Sequence, residues 1–141
     1  MSSATQTSTR RDVLGVSALR PDGVAKVSGS FEFSSDLHAE NMLWGATLRS
    51  PHPYARLVNI DLSEAYKILG VEAIITADDV PGKKTYGLIS SDQPVFASDF
   101  VRYVGEPVAA VAADHPETCR RALAAIKVQY EVLTPVTDAE V

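Results

Sequence analysis

The chain has 141 residues, 13 Lys and Arg against 18 Asp and Glu for a formal charge of -5, and 45% hydrophobic residues. That length suits one domain with an ordinary core, and an acidic balance without a basic stripe speaks against nucleic acid or an anionic membrane as partner. The single cysteine, Cys119, excludes an internal disulfide and a cysteine-ligated cluster held by this chain alone, and no apolar stretch is long enough to span a bilayer.

Residues 1–11 are rich in Ser and Thr, carry two arginines and lack an apolar run, which predicts a disordered tail. Residues 12–29 mix Gly, Pro, Ser and charge with isolated Val and Leu, and predict an extended, irregular arm. The body is expected over residues 30–141. Phe31 and Phe33 alternate with Ser30, Glu32 and Ser34, the pattern of a short half-buried strand. Residues 42–49 predict a mostly buried strand, stopped at Ser50-Pro51-His52-Pro53, where two prolines remove backbone donors. Residues 56–61 predict another strand. Ser63 is a good N-cap for a short helix over 64–69, closed by Gly70. Residues 72–76 predict a short buried strand, residues 76–82 a turn or single helical turn, and residues 83–93 an exposed connection.

Residues 95–103 lead to a tight turn at Gly105-Glu106-Pro107. Residues 107–113 are small and β-branched. Alanine favours helix, but the run is too short for one, so a central strand is predicted. Asp114, with Glu117 three positions on and Pro116 in the first turn, resembles a capping-box start. The helix that follows presents Cys119, Ala122, Leu123 and Ile126 on one face. Residues 127–133 alternate as a last strand. The sum is an α+β fold of short mixed strands with two main helices, in which the strand–helix–strand order over 107–133 allows a parallel crossover.

His38, His52 and His115 lack ligand spacing to one another or to a carboxylate or Cys partner, and read as surface or turn residues. Asp78 and Asp79 are adjacent, whereas acid–base pairs ordinarily face each other across a pocket; one is expected to cap the helical turn and the other to be solvated. Cys119, on an apolar helix face, is expected to be buried and inert. Glu106, in a turn, is expected to be solvated. Trp44, Tyr54, Tyr66, Tyr86, Tyr103 and Tyr130 form no stacking stripe, and no glycine-rich phosphate cradle is present. No residue is assigned a catalytic, cofactor-binding or metal-ligating role.

Several stretches carry a resemblance. Arg20-Pro21-Asp22-Gly23-Val24-Ala25-Lys26-Val27-Ser28-Gly29, Leu48-Arg49-Ser50-Pro51-His52-Pro53-Tyr54-Ala55-Arg56 and Ile60-Asp61-Leu62-Ser63-Glu64-Ala65 are followed by Thr76-Ala77-Asp78-Asp79-Val80-Pro81-Gly82, the most recognisable piece. Asp92-Gln93-Pro94-Val95-Phe96-Ala97, Val101-Arg102-Tyr103-Val104-Gly105-Glu106-Pro107-Val108-Ala109 and Val128-Gln129-Tyr130-Glu131-Val132-Leu133 complete it. In order and spacing these resemble the start of the molybdenum-binding large subunit of the xanthine dehydrogenase and aldehyde oxidase family. Met42-Leu43-Trp44-Gly45-Ala46-Thr47 and Asp114-His115-Pro116-Glu117-Thr118 are most similar to bacterial xanthine dehydrogenase subunits.

The resemblance implies an α/β-hammerhead domain over residues 30–141, part of a cytoplasmic oxidoreductase that hydroxylates purines or related N-heterocycles. It implies that this domain holds no cofactor. Molybdopterin and molybdenum would belong to later domains of the same subunit, and 2Fe-2S clusters and FAD to partner domains or subunits. The end at Thr137-Asp138-Ala139-Glu140-Val141 is expected to be an artificial boundary, and the isolated chain to be inactive. The alternatives are a stand-alone binding or adaptor module with the same fold, and an enzyme built on Asp78, Asp79 or Glu106, which requires those carboxylates to converge in a pocket.

Overall fold

A computed structural model describes Ser17 and residues 19–140. The expected tail and the first part of the expected arm lie outside the described residues. The described residues up to Ala39 form one compact unit and those from Glu40 onward a second.

In the first unit, Gly23–Ser28 form a short helix, α1, where an irregular arm was expected. Asp22 organises its start: its carboxylate accepts from Arg20 and pairs with Lys26 at 2.7 Å, one helical turn on. The Arg20 guanidinium, then the Lys26 ammonium, hold the Asp22 carboxyl below the usual aspartate range. Gly29, at φ 75°, closes the helix in the left-handed conformation that glycine adopts without strain. The strand expected at Phe31 and Phe33 does not form. Phe33 instead precedes a 3₁₀ turn, Ser34–Asp36, and its N–H donates to the Asp36 carboxylate at 2.9 Å. A side chain thus takes the backbone group that a strand would have paired. The two rings meet edge to face at 5.0 Å, with Lys26 Nζ 4.7 Å from the Phe31 centroid.

The second unit contains β1 (Trp44–Arg49), β2 (Ala55–Asp61), β3 (Val71–Ile75), β4 (Thr85–Tyr86), β5 (Gln93–Pro94), β6 (Phe100–Val101), β7 (Pro107–Ala113), α2 (Pro116–Ala125) and β8 (Lys127–Val132). The strands pair as β1-β7-β3, as β6-β2-β8, and as a small β4-β5 ladder within the expected exposed connection. Every pairing among the described residues is antiparallel. The parallel crossover that the element order allowed therefore does not form: the chain leaves β7, runs through α2 and enters β8 in the other sheet. The central position of β7 agrees with its unbroken apolar sequence.

Two clusters form the core. Ile74, Val111 and Ala113 of the first sheet pack against Cys119, Ala122 and Ile126, with Ala65 beside them. Ala55, Leu57, Ala97, Val101 and Val108 form the other, and Ile60 and Val128 pack on both. The apolar face predicted for α2 is thus the buried one. β1 is less buried than expected, with Trp44 and Leu43 exposed.

The helix expected over 64–69 contracts to a 3₁₀ turn, Ala65–Lys67, in which Ser63 is not the cap. Ser63 N–H donates instead to Asp61 at 2.9 Å, and the Ser63 hydroxyl, then this backbone contact, hold the Asp61 carboxyl low. Gly70 follows at φ 93°. The start of α2 also differs from expectation. Its N-cap is His115 rather than Asp114: His115 Nδ1 accepts the Glu117 N–H at 3.1 Å.

Candidate functional site

The densest buried polar grouping lies where β1, the β6–β7 turn and β8 meet. Ser50 and Glu106 are its buried members, each 2% exposed. The solvated glutamate expected at 106 is therefore corrected. The Gly105 turn folds the side chain inward, and Glu106 Oε2 accepts the Arg102 N–H while Oε1 lies 3.6 Å from the Arg102 guanidinium. Ser50 N–H donates to the Glu106 carbonyl at 2.9 Å, and Gly105 N–H to the Ser50 carbonyl at 2.8 Å. Arg49 Nη1 also reaches the Gly105 carbonyl, at 2.8 Å.

Ser50 Oγ accepts the His52 N–H at 3.1 Å, which fixes the Pro-His-Pro loop, and the His52 ring meets Tyr130 edge to face at 4.9 Å. Burial pushes the Tyr130 phenol up, with Ser50 opposing it. These bonds tie a turn to a loop. Ser50 Oγ and Glu106 Oε2 accept from backbone N–H groups and Glu106 Oε1 faces the Arg102 guanidinium, so these side chains fix the turn and the loop.

The other candidates stay apart. Thr76 and Asp79 form a reciprocal cap: the Asp79 carboxylate accepts from Thr76 N at 2.8 Å and Oγ1 at 3.0 Å. That backbone contact, then the hydroxyl, holds the Asp79 carboxyl below the usual range. The Asp78 side chain is 96% exposed and pairs with Lys84 at 3.3 Å. One carboxylate caps and the other is solvated, as expected. Asp78 does line a polar cleft of about 400 Å³ with Asn59, Thr76 and Ser98, but no imidazole or thiol lines it. Asp78, Asp79 and Glu106 each keep separate local partners and do not converge.

Cys119 is buried, as expected, and its Sγ donates to the Trp44 carbonyl at 3.1 Å. His115 is a helix cap, and His38 is exposed. Among the described residues no three His, Cys, Asp or Glu are placed to share a metal ion. An iron–sulfur cluster needs several thiolates, and the lone, already bonded Cys119 does not fit one. Sequence reasoning missed Ser50 and misplaced Glu106. The available signal was that Ser50 directly follows one mostly apolar run and Glu106 directly precedes another, the two runs that pair as β1 and β7 and so bring both residues to the same end of the ladder.

Residues 28–134 match the family model described as "Aldehyde oxidase and xanthine dehydrogenase, a/b hammerhead domain". The chain is 43% identical over 124 residues to a probable xanthine dehydrogenase subunit of Bacillus subtilis (strain 168), covering 88% of this chain and 17% of that protein. It is 39% identical over 128 residues to the nicotinate dehydrogenase large molybdopterin subunit of Eubacterium barkeri, covering 91% of this chain and 30% of that protein. Among solved structures it is similar to the aldehyde oxidoreductase from Desulfovibrio desulfuricans, with TM-score 0.84 and 32% identity, over 91% of this chain and 16% of that one. The chain therefore spans between about a sixth and a third of these relatives' length.

Proposed function

We propose, from the premise that this chain belongs to the aldehyde oxidase and xanthine dehydrogenase family through its a/b hammerhead domain, that it is a non-catalytic scaffold within the molybdopterin-binding subunit of a molybdenum hydroxylase. One observation carries the reading: the relatives match nearly all of this chain with a small part of themselves. The domain is read as residues 30–141, after an arm over 12–29 and a tail over 1–11; a family match over residues 28–134 supports where it starts, while the fold itself divides after Ala39.

The whole subunit would oxidise purines or related N-heterocycles in the cytoplasm, in purine catabolism. Its molybdopterin and molybdenum would sit in the remaining domains, and its 2Fe-2S clusters and FAD in partner domains or subunits. The reading is supported by what the polar groups here do. Ser50, Glu106, Asp79 and His115 all hold backbone.

The test is metal analysis of the purified chain, together with a hydroxylation assay on a purine with an artificial electron acceptor. The expected result is neither stoichiometric molybdenum nor turnover. Either one, at the level of one metal per chain or of repeated turnover, overturns the reading.

A further inference from the structure

An antiparallel sheet with one wet face alternates apolar and polar residues along its strands. β7 does not: Pro107–Ala113 contains no polar side chain. One face of its sheet is covered by α2 through Val111, Ala113 and Ile74. On the other face, the pairing register aligns Gly45, Ala112 and Ala73 in one row and Thr47, Ala110 and Ile75 in the next. All of these but Thr47, together with Val111, line a shallow trough of about 360 Å³ that has no charged side chain. Ile75 is 44% exposed, and a Cβ added at Gly45 would meet nothing within 4 Å.

From this we infer that the outer face of the β1-β7-β3 sheet is the seat of an apolar segment from the rest of the molybdopterin-binding polypeptide, an inference that rests on the subunit reading above. Two observations select that occupant. The matched relatives carry most of their length outside the region this chain covers. The patch is also too small to hold a separate protein by itself. Three strands spaced about 4.8 Å apart give a patch roughly 10 Å across, on the order of 100 Å². A stable interface between free proteins needs about 800 Å² per partner. A second copy would therefore bind poorly, whereas a segment of the same polypeptide arrives at an effective concentration of about millimolar and needs far less area. Gly and Ala at four of the six lining positions let that segment approach the strand backbones closely.

The test uses Ala112→Cys in two settings: the 141-residue chain, and a chimera in which this chain replaces the matched stretch of the Bacillus subtilis relative. N-ethylmaleimide modification is followed by mass spectrometry on the peptide carrying residue 112. The expected result is modification at least about 10-fold slower in the chimera, corresponding to an opening cost of about 1.4 kcal/mol. Equal rates in a folded chimera overturn the docking inference and leave the subunit reading standing. Slow modification in an isolated chain that sediments as a dimer assigns the face to a second copy, and also overturns the inference.

A chimera that is insoluble where the unaltered relative is soluble counts against the subunit reading itself. The docking inference then falls with it, and whether the face is open in the first place is read in the isolated chain with Ile75→Lys. A thermal midpoint within about 2 °C of the parent is expected for an open face. A fall of more than about 6 °C would show the face already packed within this chain, and would overturn the inference.

Discussion

Glu106 turns back to accept the backbone N–H of Arg102 while its second carboxylate oxygen faces the guanidinium of the same residue at 3.6 Å. The carboxylate is buried, whereas more than half of the Arg102 side chain is exposed. The backbone contact therefore matters more than the ion pair, which water screens on one side. Glu106→Ala leaves that N–H without its partner and should lower stability by about 1–3 kcal/mol. Glu106→Gln keeps an acceptor oxygen and should lose clearly less. Urea unfolding followed by circular dichroism separates the two, and equal losses would mean that the charge rather than the acceptor matters.

Gly70 and Gly45 make a matched pair. At Gly70 φ is 93°, and an added Cβ would lie 2.4 Å from the Asp114 carboxylate oxygens, beside the Asp114 N–H bond to the Gly70 carbonyl at 2.9 Å. Gly70→Ala should therefore cost about 1–3 kcal/mol, from a disfavoured backbone region and from displacing Asp114. Gly45→Ala meets open space and should change stability by less than about 0.5 kcal/mol. Thermal midpoints of the two variants check this, and similar losses would contradict it.

The Cys119 thiol is 1% exposed and bonded to the Trp44 carbonyl between α2 and β1. A disulfide reagent reaches it only when that packing opens. In the native chain its modification should run at least about 100-fold slower than in urea, the factor for an opening free energy near 3 kcal/mol. Rapid native modification would show that α2 detaches readily from its sheet.

The Asp79 cap predicts a pH dependence with a definite sign. Thr76 donors hold the folded carboxyl below the ordinary aspartate value of about 3.9. Its contribution is fully present above that unfolded value and is lost as pH falls through the lower folded one. The difference in urea midpoint between the parent and Asp79→Asn should therefore be constant above about pH 5 and shrink toward pH 2. A difference that grew on acidification would contradict the cap.

Local pattern made much of this legible. β7 stood out because seven apolar residues between Glu106 and Asp114 suit only a central strand, and the α2 face because Cys119, Ala122 and Ile126 recur at helical spacing. The Thr76–Asp79 turn was readable because both partners lie within four residues. The expected helix after Ser63 failed because propensity in six residues is weak beside the packing of Ala65 under α2. Phe31 and Phe33 failed as a strand because the competing donor–acceptor pair, Phe33 with Asp36, lies outside any periodicity count.

By itself the amino-acid sequence determined most strand and helix identities, the buried cysteine and, through ordered motifs, the family. Only the tertiary structure decided that β7 and β8 belong to different sheets, that Glu106 is buried, and that a Gly and Ala row lies open on one side of β7. The reason is range. Side-chain periodicity and capping act over a few residues, whereas burial and pairing depend on partners such as Ser50 and Glu106, which lie far apart in the chain.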